Sequence, residues 1–170
     1  DAICKRPLSD PLIFHTQTST EYWQRRGSLV HTDTKGNDLA PPENVRIYHW
    51  ASAQHVGNPH QERPTRGICQ NPENVLQTSM IFRALIDALD NWVSKAITPP
   101  ENQIPTNSKG TLVDFKYWKS QFPKIPNLVT PQAPNKLSIY DYGPKADLGI
   151  FDTLPPRKIQ NCNYTIKVPS

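Results

Sequence analysis

Proline is the feature of this sequence that most restricts how the chain can fold. The 170 residues include 18 prolines, about 11% of the chain against an average near 5%. Eleven of them fall at or after Pro99. Proline has no backbone N–H and a fixed φ, so it interrupts both helices and sheet ladders. We therefore expect regular structure mainly in residues 1–98 and little of it in residues 99–170.

The proline-rich part of the chain is nevertheless rich in aromatic side chains. It contains Phe115, Tyr117, Trp118, Phe122, Tyr140, Tyr142 and Phe151, which is more than a disordered linker normally carries. We therefore expect two parts. Residues 1–98 form a folded core, and residues 99–170 form an ordered, irregular arm packed on it.

The charge pattern argues against two classes of partner. The chain has 19 basic and 15 acidic residues, a net charge of +4, but the basic residues are scattered rather than gathered in a run. A nucleic-acid surface usually shows a basic patch with interleaved aromatic residues. No apolar run of about 18 residues exists to form a transmembrane helix. We expect neither a nucleic acid nor a membrane as partner.

The cysteines give little information about structure. Cys4, Cys69 and Cys162 are far apart and lack the spacing of a zinc site, and we expect no metal or cofactor. Two kinds of disulfide bond remain open: Cys69 could pair with Cys162, or either of them with a cysteine outside the chain. The sequon at residues 163–165 is typical of secreted proteins. The chain begins with Asp1 rather than Met, so we expect an upstream part to have been removed and a secreted or periplasmic location.

Two segments have the composition of strands. Residues 12–16 form a short apolar run, and residues 45–51 are β-branched and aromatic. A helix is expected to open near Glu21, with Ser19 or Thr20 as its N-cap.

A longer helix is predicted by apolar residues at three- and four-residue spacing. Ser79 or Thr78 would cap its start, and Thr98-Pro99-Pro100 would follow its end. We expect it to cover a core with its apolar face, formed by Met80, Ile81, Ala84, Leu85, Ala88, Leu89, Trp92 and Val93.

Glu21 and His55 are the candidate catalytic residues because each follows a predicted strand. A carboxylate and then an imidazole match the second and third members of a nucleophile–acid–histidine triad. The alternative to a catalytic role is that Glu21 only provides a favourable charge in the first turn of a helix. His31 and His49 compete for the role of His55. A metal site from His49, His55 and His60 is disfavoured by their spacing.

Several blocks of the sequence resemble an α/β-hydrolase family. They include Thr-Ser-Thr-Glu-Tyr-Trp at residues 18–23 and Gln-His at residues 54–55, which are similar to the family's TSTEYW-like and "(G)TQH" blocks. The resemblance implies an α/β fold in which residues 12–16 and 45–51 are the last strands of a doubly wound sheet. It also implies that Glu21 is the triad acid and His55 the triad base.

The sequence departs from that family in two ways. Ser52-Ala53 precede Gln54-His55 where the family reads Gly-Thr, and no Gly-x-Ser-x-Gly elbow occurs. The family's nucleophile lies N-terminal to the acid, hence before Asp1. The chain thus resembles the C-terminal part of such an enzyme: two strands, a covering helix and the proline-rich arm.

The resemblance implies the C-terminal segment or subunit of a serine hydrolase that cleaves carboxylic esters and is inactive as this chain alone. The nucleophile would come from an upstream segment or a second chain. Tyr22, Trp23 and Trp50 are candidate contacts for a bulky ester. The first alternative is a non-catalytic binding or assembly module that docks through its proline-rich arm. The second is a polysaccharide-binding surface formed by the four tryptophans.

Overall fold

The computed structural model of the protein describes residues 9–57, 60–135, 137–159 and 164–170. Cys4, Cys162 and the sequon asparagine Asn163 lie outside these ranges, so the predicted disulfide alternatives and the glycosylation site lie there too. Cys69 is exposed and forms no disulfide with another described residue.

The centre of the fold is a pair of parallel strands, β1 (Ile13–Thr18) and β2 (Val45–Trp50). Their register runs from Ile13 opposite Val45 to Thr18 opposite Trp50. Both predicted strands are confirmed, although β1 continues two residues beyond its predicted end. Parallel strands need a crossover connection rather than a hairpin, and here the crossover carries the first helix.

The two faces of this pair have different chemistry because side chains alternate along a strand. Phe14 of β1 lies on one face with Tyr48 of β2, their ring centroids 5.2 Å apart. Trp50 shares that face and joins the buried cluster. The opposite face carries Gln17 and its register partner His49. One face therefore carries the aromatic side chains, and the other combines the polar Gln17 and His49 with the buried Val45 and Ile47.

The first helix, α1, spans Ser19–Gln24, and a 3₁₀ turn follows at Gly27–Val30. The N-cap of α1 is Thr18, so the prediction of Ser19 or Thr20 as N-cap was wrong by one or two residues. Thr18 ends β1 in an extended conformation, which lets the helix begin directly after the strand. Arg26 has a left-handed φ of 59°, which separates the helix from the 3₁₀ turn.

The long helix α2 (Ser79–Lys95) begins where predicted, with Thr78 as N-cap, but it ends at Lys95 with Ala96 as C-cap, two residues before Thr98-Pro99-Pro100. It packs on the aromatic face of the strands: Phe82 contacts Trp50 at 4.2 Å between ring centroids, and Trp92 contacts Phe14 at 5.8 Å.

The expectation that the apolar face of α2 covers a core was only partly right. Met80, Ile81, Ile86 and Val93 are exposed. The apolar residues of α2 extend further around the helix than the two strands beneath it can cover. A substantial apolar surface is therefore left in contact with solvent.

In its described residues, the proline-rich part contains only short elements. They are β3 (Leu112–Asp114), α3 (Phe115–Gln121), β4 (Tyr140–Asp141), a 3₁₀ turn (Ala146–Leu148), β5 (Arg157–Lys158) and β6 (Lys167–Pro169). β3 pairs with β6, and β4 with β5, both antiparallel. No helix within the described ranges is long and apolar enough to cross a membrane.

The arm is joined to the strands and to α1. Gln103 forms a parallel bridge with Tyr48 of β2. On α1, Trp23 contacts Trp118 of α3 at 4.6 Å between ring centroids and Phe115 at 6.0 Å. The division of the chain at residue 98 stays a prediction.

Candidate active site

Glu21 lies in the first turn of α1, where its carboxylate turns back towards the end of β1. Oε2 accepts a hydrogen bond of 2.6 Å from the backbone N–H of Thr18 and a second from the Thr18 hydroxyl. This is a capping box, which satisfies an otherwise unpaired backbone donor at the start of a helix. One carboxylate oxygen is thereby fixed, and the other remains for a second partner.

That second partner is His55. Its Nδ1 is hydrogen-bonded to Oε1 of Glu21, although the two residues are far apart in sequence. They meet because Glu21 follows β1 and His55 follows β2, and the carboxyl ends of parallel neighbours lie at the same edge of the sheet. The structure therefore brings together the two residues that the sequence singled out.

The two side chains of this pair differ in exposure. The Glu21 side chain is 18% exposed and that of His55 is 57% exposed. A partly buried carboxylate on Nδ1 fixes the orientation of the ring and favours the tautomer with its proton on that nitrogen. Nε2 then becomes the nitrogen suited to accept a proton from another group. The arrangement fits an oriented general base.

The pKa of Glu21 is lowered from its ordinary value of 4.5. Burial by itself acts in the opposite direction, but the hydrogen bonds from Thr18 and His55 outweigh it. Bonds donated to a carboxylate stabilise its charged form. Glu21 is therefore ionised at neutral pH, as an acceptor for an imidazole N–H must be.

The other histidines considered in the sequence are placed differently. His31 is 2% exposed, and burial lowers the pKa values of both His31 and His49. Nε2 of His31 is hydrogen-bonded to the hydroxyl of the fully buried Tyr22 at 2.7 Å. These rings are part of the interior. No group of three or more His, Cys, Asp or Glu side chains in the described ranges is arranged to hold a metal ion.

The three predicted substrate contacts also lie mainly in packed surroundings. Tyr22 has no accessible surface, and Trp50 is 6% exposed within the buried cluster. Trp23 is half-buried against α3 and borders a cleft that Pro131, Ala133 and Pro134 also line. Contact of Tyr22 with a ligand would require the core to open. The role of these residues in substrate binding stays a prediction.

Two features of the site were missed in the sequence. The first is Thr18, whose role was readable because Thr-x-x-Glu at residues 18–21 is the capping-box pattern. The second is the left-handed backbone conformation of Ser52, the first residue after β2, which has a φ of 62°. Glycine adopts this left-handed region without a steric cost, and Ser52 stands where the resembling family reads glycine. The loop retains a glycine-like turn without a glycine.

Lowering the pH from 7.5 to 5.5 is expected to destabilise the fold. The folded-state pKa values of His15, His31 and His49 lie below 6.5, mainly because of burial. As the pH falls through 6.5, the unfolded chain binds protons that the folded chain does not. Stability is therefore lost by at most about 1.4 kcal/mol per pH unit for each such proton.

Urea unfolding midpoints at pH 7.5, 6.5 and 5.5 measure this loss. The loss of stability from protonation of Glu21 falls in a lower pH range, because the pKa of this carboxyl is 4.5 in the unfolded chain and lower in the folded one. Substitution His31→Gln should make the midpoint less sensitive to pH. An equal midpoint at pH 7.5 and 5.5 in the unsubstituted protein would contradict the expectation.

Comparison with known proteins supports the fold assignment. Searches of curated proteins and of solved structures gave no match. A family model described as an alpha/beta hydrolase domain matches residues 3–121. This match covers both central strands, α1, α2, Glu21 and His55, and it confirms the resemblance to α/β-hydrolases. The chain belongs to the alpha/beta hydrolase domain family.

Proposed function

We propose that this chain supplies the acid and the base of a serine-type hydrolase that cleaves carboxylic esters. The observation that supports this most is the bond from Nδ1 of His55 to Oε1 of Glu21. A hydrolase-type function agrees with the family. The nucleophile is proposed to belong to an upstream segment or to a second chain.

In the proposed reaction, a serine hydroxyl loses its proton to Nε2 of His55 as its oxygen attacks the ester carbonyl. The tetrahedral intermediate collapses, the C–O bond to the alcohol breaks, and the leaving alkoxide takes the proton from Nε2. A water molecule then repeats the sequence on the acyl-enzyme, releasing the acid and the free serine. Glu21 orients the ring and stabilises the imidazolium in both halves.

The proposal of an outside nucleophile rests on the absence of a Gly-x-Ser-x-Gly elbow from this sequence. The only Gly-Ser pair is Gly27-Ser28, and it is not part of a Gly-x-Ser-x-Gly elbow. Ser28 is 0% exposed and lies in the 3₁₀ turn that follows α1. A nucleophile must reach both the base and the substrate, and Ser28 is enclosed by the fold instead.

The exposed apolar residues of α2 support the presence of a covering partner. A contiguous apolar patch on a protein surface commonly marks an interface. Their position on the same helix that packs against β1 and β2 agrees with a larger body around the site. A secreted or periplasmic location stays a prediction.

Labelling with a fluorophosphonate tests the proposal, because this probe reacts with activated serines. We expect no label on the isolated 170-residue chain and a label on the preparation that contains the upstream segment or partner chain. Mass spectrometry of the labelled peptide should place the probe on a serine outside residues 1–170. A label on a serine of this chain, or an unlabelled complete preparation, would contradict the proposed function.

A non-catalytic assembly module is the second candidate function. The observation that favours it is the number of large apolar side chains exposed on the arm: Ile125, Val129, Leu148, Ile150, Phe151 and Leu154. In this case a partner would bind these residues and no serine would be labelled. The same labelling experiment therefore separates the two functions.

A further inference from the structure

The loop that carries His55 is attached to the first turn of α1 by two hydroxyl groups. Oγ of Ser19 accepts a hydrogen bond of 2.9 Å from the backbone N–H of Ser52. Oγ1 of Thr20 accepts one of 3.2 Å from the backbone N–H of His55. The histidine loop, residues 52–55, is therefore bound at both of its ends to the helix that carries Glu21.

A third residue holds the same loop from the other side. Nδ2 of Asn74 donates a hydrogen bond of 2.7 Å to the backbone oxygen of Ser52. The backbone oxygen of Asn74 in turn accepts a hydrogen bond from Nε2 of Gln54. Both backbone groups of Ser52 are thus bound, its N–H by Ser19 and its C=O by Asn74. Ser52 needs this support because its φ of 62° is unfavourable for a residue with a Cβ.

We propose that Ser19, Thr20 and Asn74 are positioning residues, which hold the histidine loop so that Nδ1 of His55 meets Oε1 of Glu21. Their importance for turnover depends on the proposed function, whereas their effect on the Glu21–His55 bond does not.

Exposure distinguishes this role from a general contribution to stability. Ser52, His55 and Asn74 are all exposed, so their backbone and amide groups have water as an alternative partner. Breaking such a bond leaves no buried group unsatisfied and has little effect on the free energy of unfolding. It does allow the loop to move, and a displacement of about 1 Å at a catalytic group lowers turnover by up to about 100-fold. Removing one of these hydrogen bonds should therefore change the position of the histidine loop more than it changes the unfolding temperature.

The test compares four variants of the full chain. Thr20→Val removes the hydroxyl at nearly constant shape, and Thr20→Ser keeps it. Asn74→Ala removes the support from the other side. Ser94→Ala is the matched control, because Ser94 is on α2 and its hydroxyl donates only within that helix, to the backbone of Asp90. The first readout is the far-downfield proton resonance of the His55 Nδ1–H, which reports its bond to a carboxylate.

We expect Thr20→Val and Asn74→Ala to weaken or abolish this resonance with little change in unfolding temperature, and Thr20→Ser and Ser94→Ala to retain it. In the preparation that carries the nucleophile, kcat should fall about 10- to 100-fold in the first two variants, with KM nearly unchanged. A wild-type resonance in both Thr20→Val and Asn74→Ala would overturn the inference.

Two further outcomes are distinguishable. If the resonance behaves as expected but the complete preparation hydrolyses no ester, the positioning of His55 is supported and the proposed function fails. If Thr20→Val does not fold, Asn74→Ala decides, because Asn74 belongs to a different segment and is exposed. Normal kcat and a normal resonance in Asn74→Ala would then contradict the inference.

Discussion

Replacing His55 with alanine is expected to lower the turnover of the proposed serine hydrolase by at least about 10³-fold. The reason is chemical rather than structural. His55 is more than half exposed, so its truncation removes little packing, but it removes the only base that Glu21 orients in the described part of the chain. The serine would then have no acceptor for its proton. Initial rates with a chromogenic carboxylic ester measure the effect.

A control variant and a stability measurement accompany this experiment. His60→Ala provides a matched control, because His60 is an exposed histidine only five positions further along the chain, and its variant should keep the wild-type rate. The unfolding temperature of His55→Ala should stay close to that of the wild type. A near-normal rate in His55→Ala would remove this residue from the mechanism.

Glu21→Gln is expected to lower turnover by up to about 10⁴-fold, with the fold intact. The two donors on Thr18, its N–H and its hydroxyl, both point at Oε2, so they should bind the amide oxygen of the glutamine. The amide NH₂ would then face Nδ1 of His55. This nitrogen becomes an acceptor, the ring proton moves to Nε2, and the base is in the wrong tautomer to accept a proton.

The control for this variant is Glu43→Gln, because Glu43 is an exposed carboxylate remote from His55. We expect kcat, rather than KM, to fall in Glu21→Gln, as for an interaction that operates in the transition state. If the variant keeps its rate and only its thermal stability falls, Glu21 is a helix-capping residue and not the triad acid.

The sequence predicted the elements that depend on local chemistry. The β-branched and aromatic run of β2 and the caps and prolines around α2 specify their bounds locally. Glu21 and His55 were singled out because each follows a predicted strand and lies in a block that resembles the hydrolase family. The structure places them in contact, and their catalytic role stays a prediction. Thr18 as N-cap was missed because strand and helix share this residue, so no loop separates them.

The parts that were not predicted depend on contacts between distant segments. The three-four spacing in α2 shows that one side is apolar but not what covers it, so the sequence did not predict the exposure of Met80 and Val93. Tyr22 follows Glu21 directly, but one residue is a rotation of about 100° on a helix. That rotation directs Tyr22 into the interior, where its ring contacts His49, while Glu21 faces His55.

The pairing of β3 with β6 has a consequence for the order in which the structure can form. Val168 of β6 is completely buried opposite Val113, and β6 also contacts α1. These residues are synthesised much later than α1 itself. Contacts between such distant positions form slowly during folding. The helix that carries Glu21 therefore acquires its last neighbours only when residues 167–169 have been made, and until then a nascent chain holds Glu21 and His55 on an incomplete support.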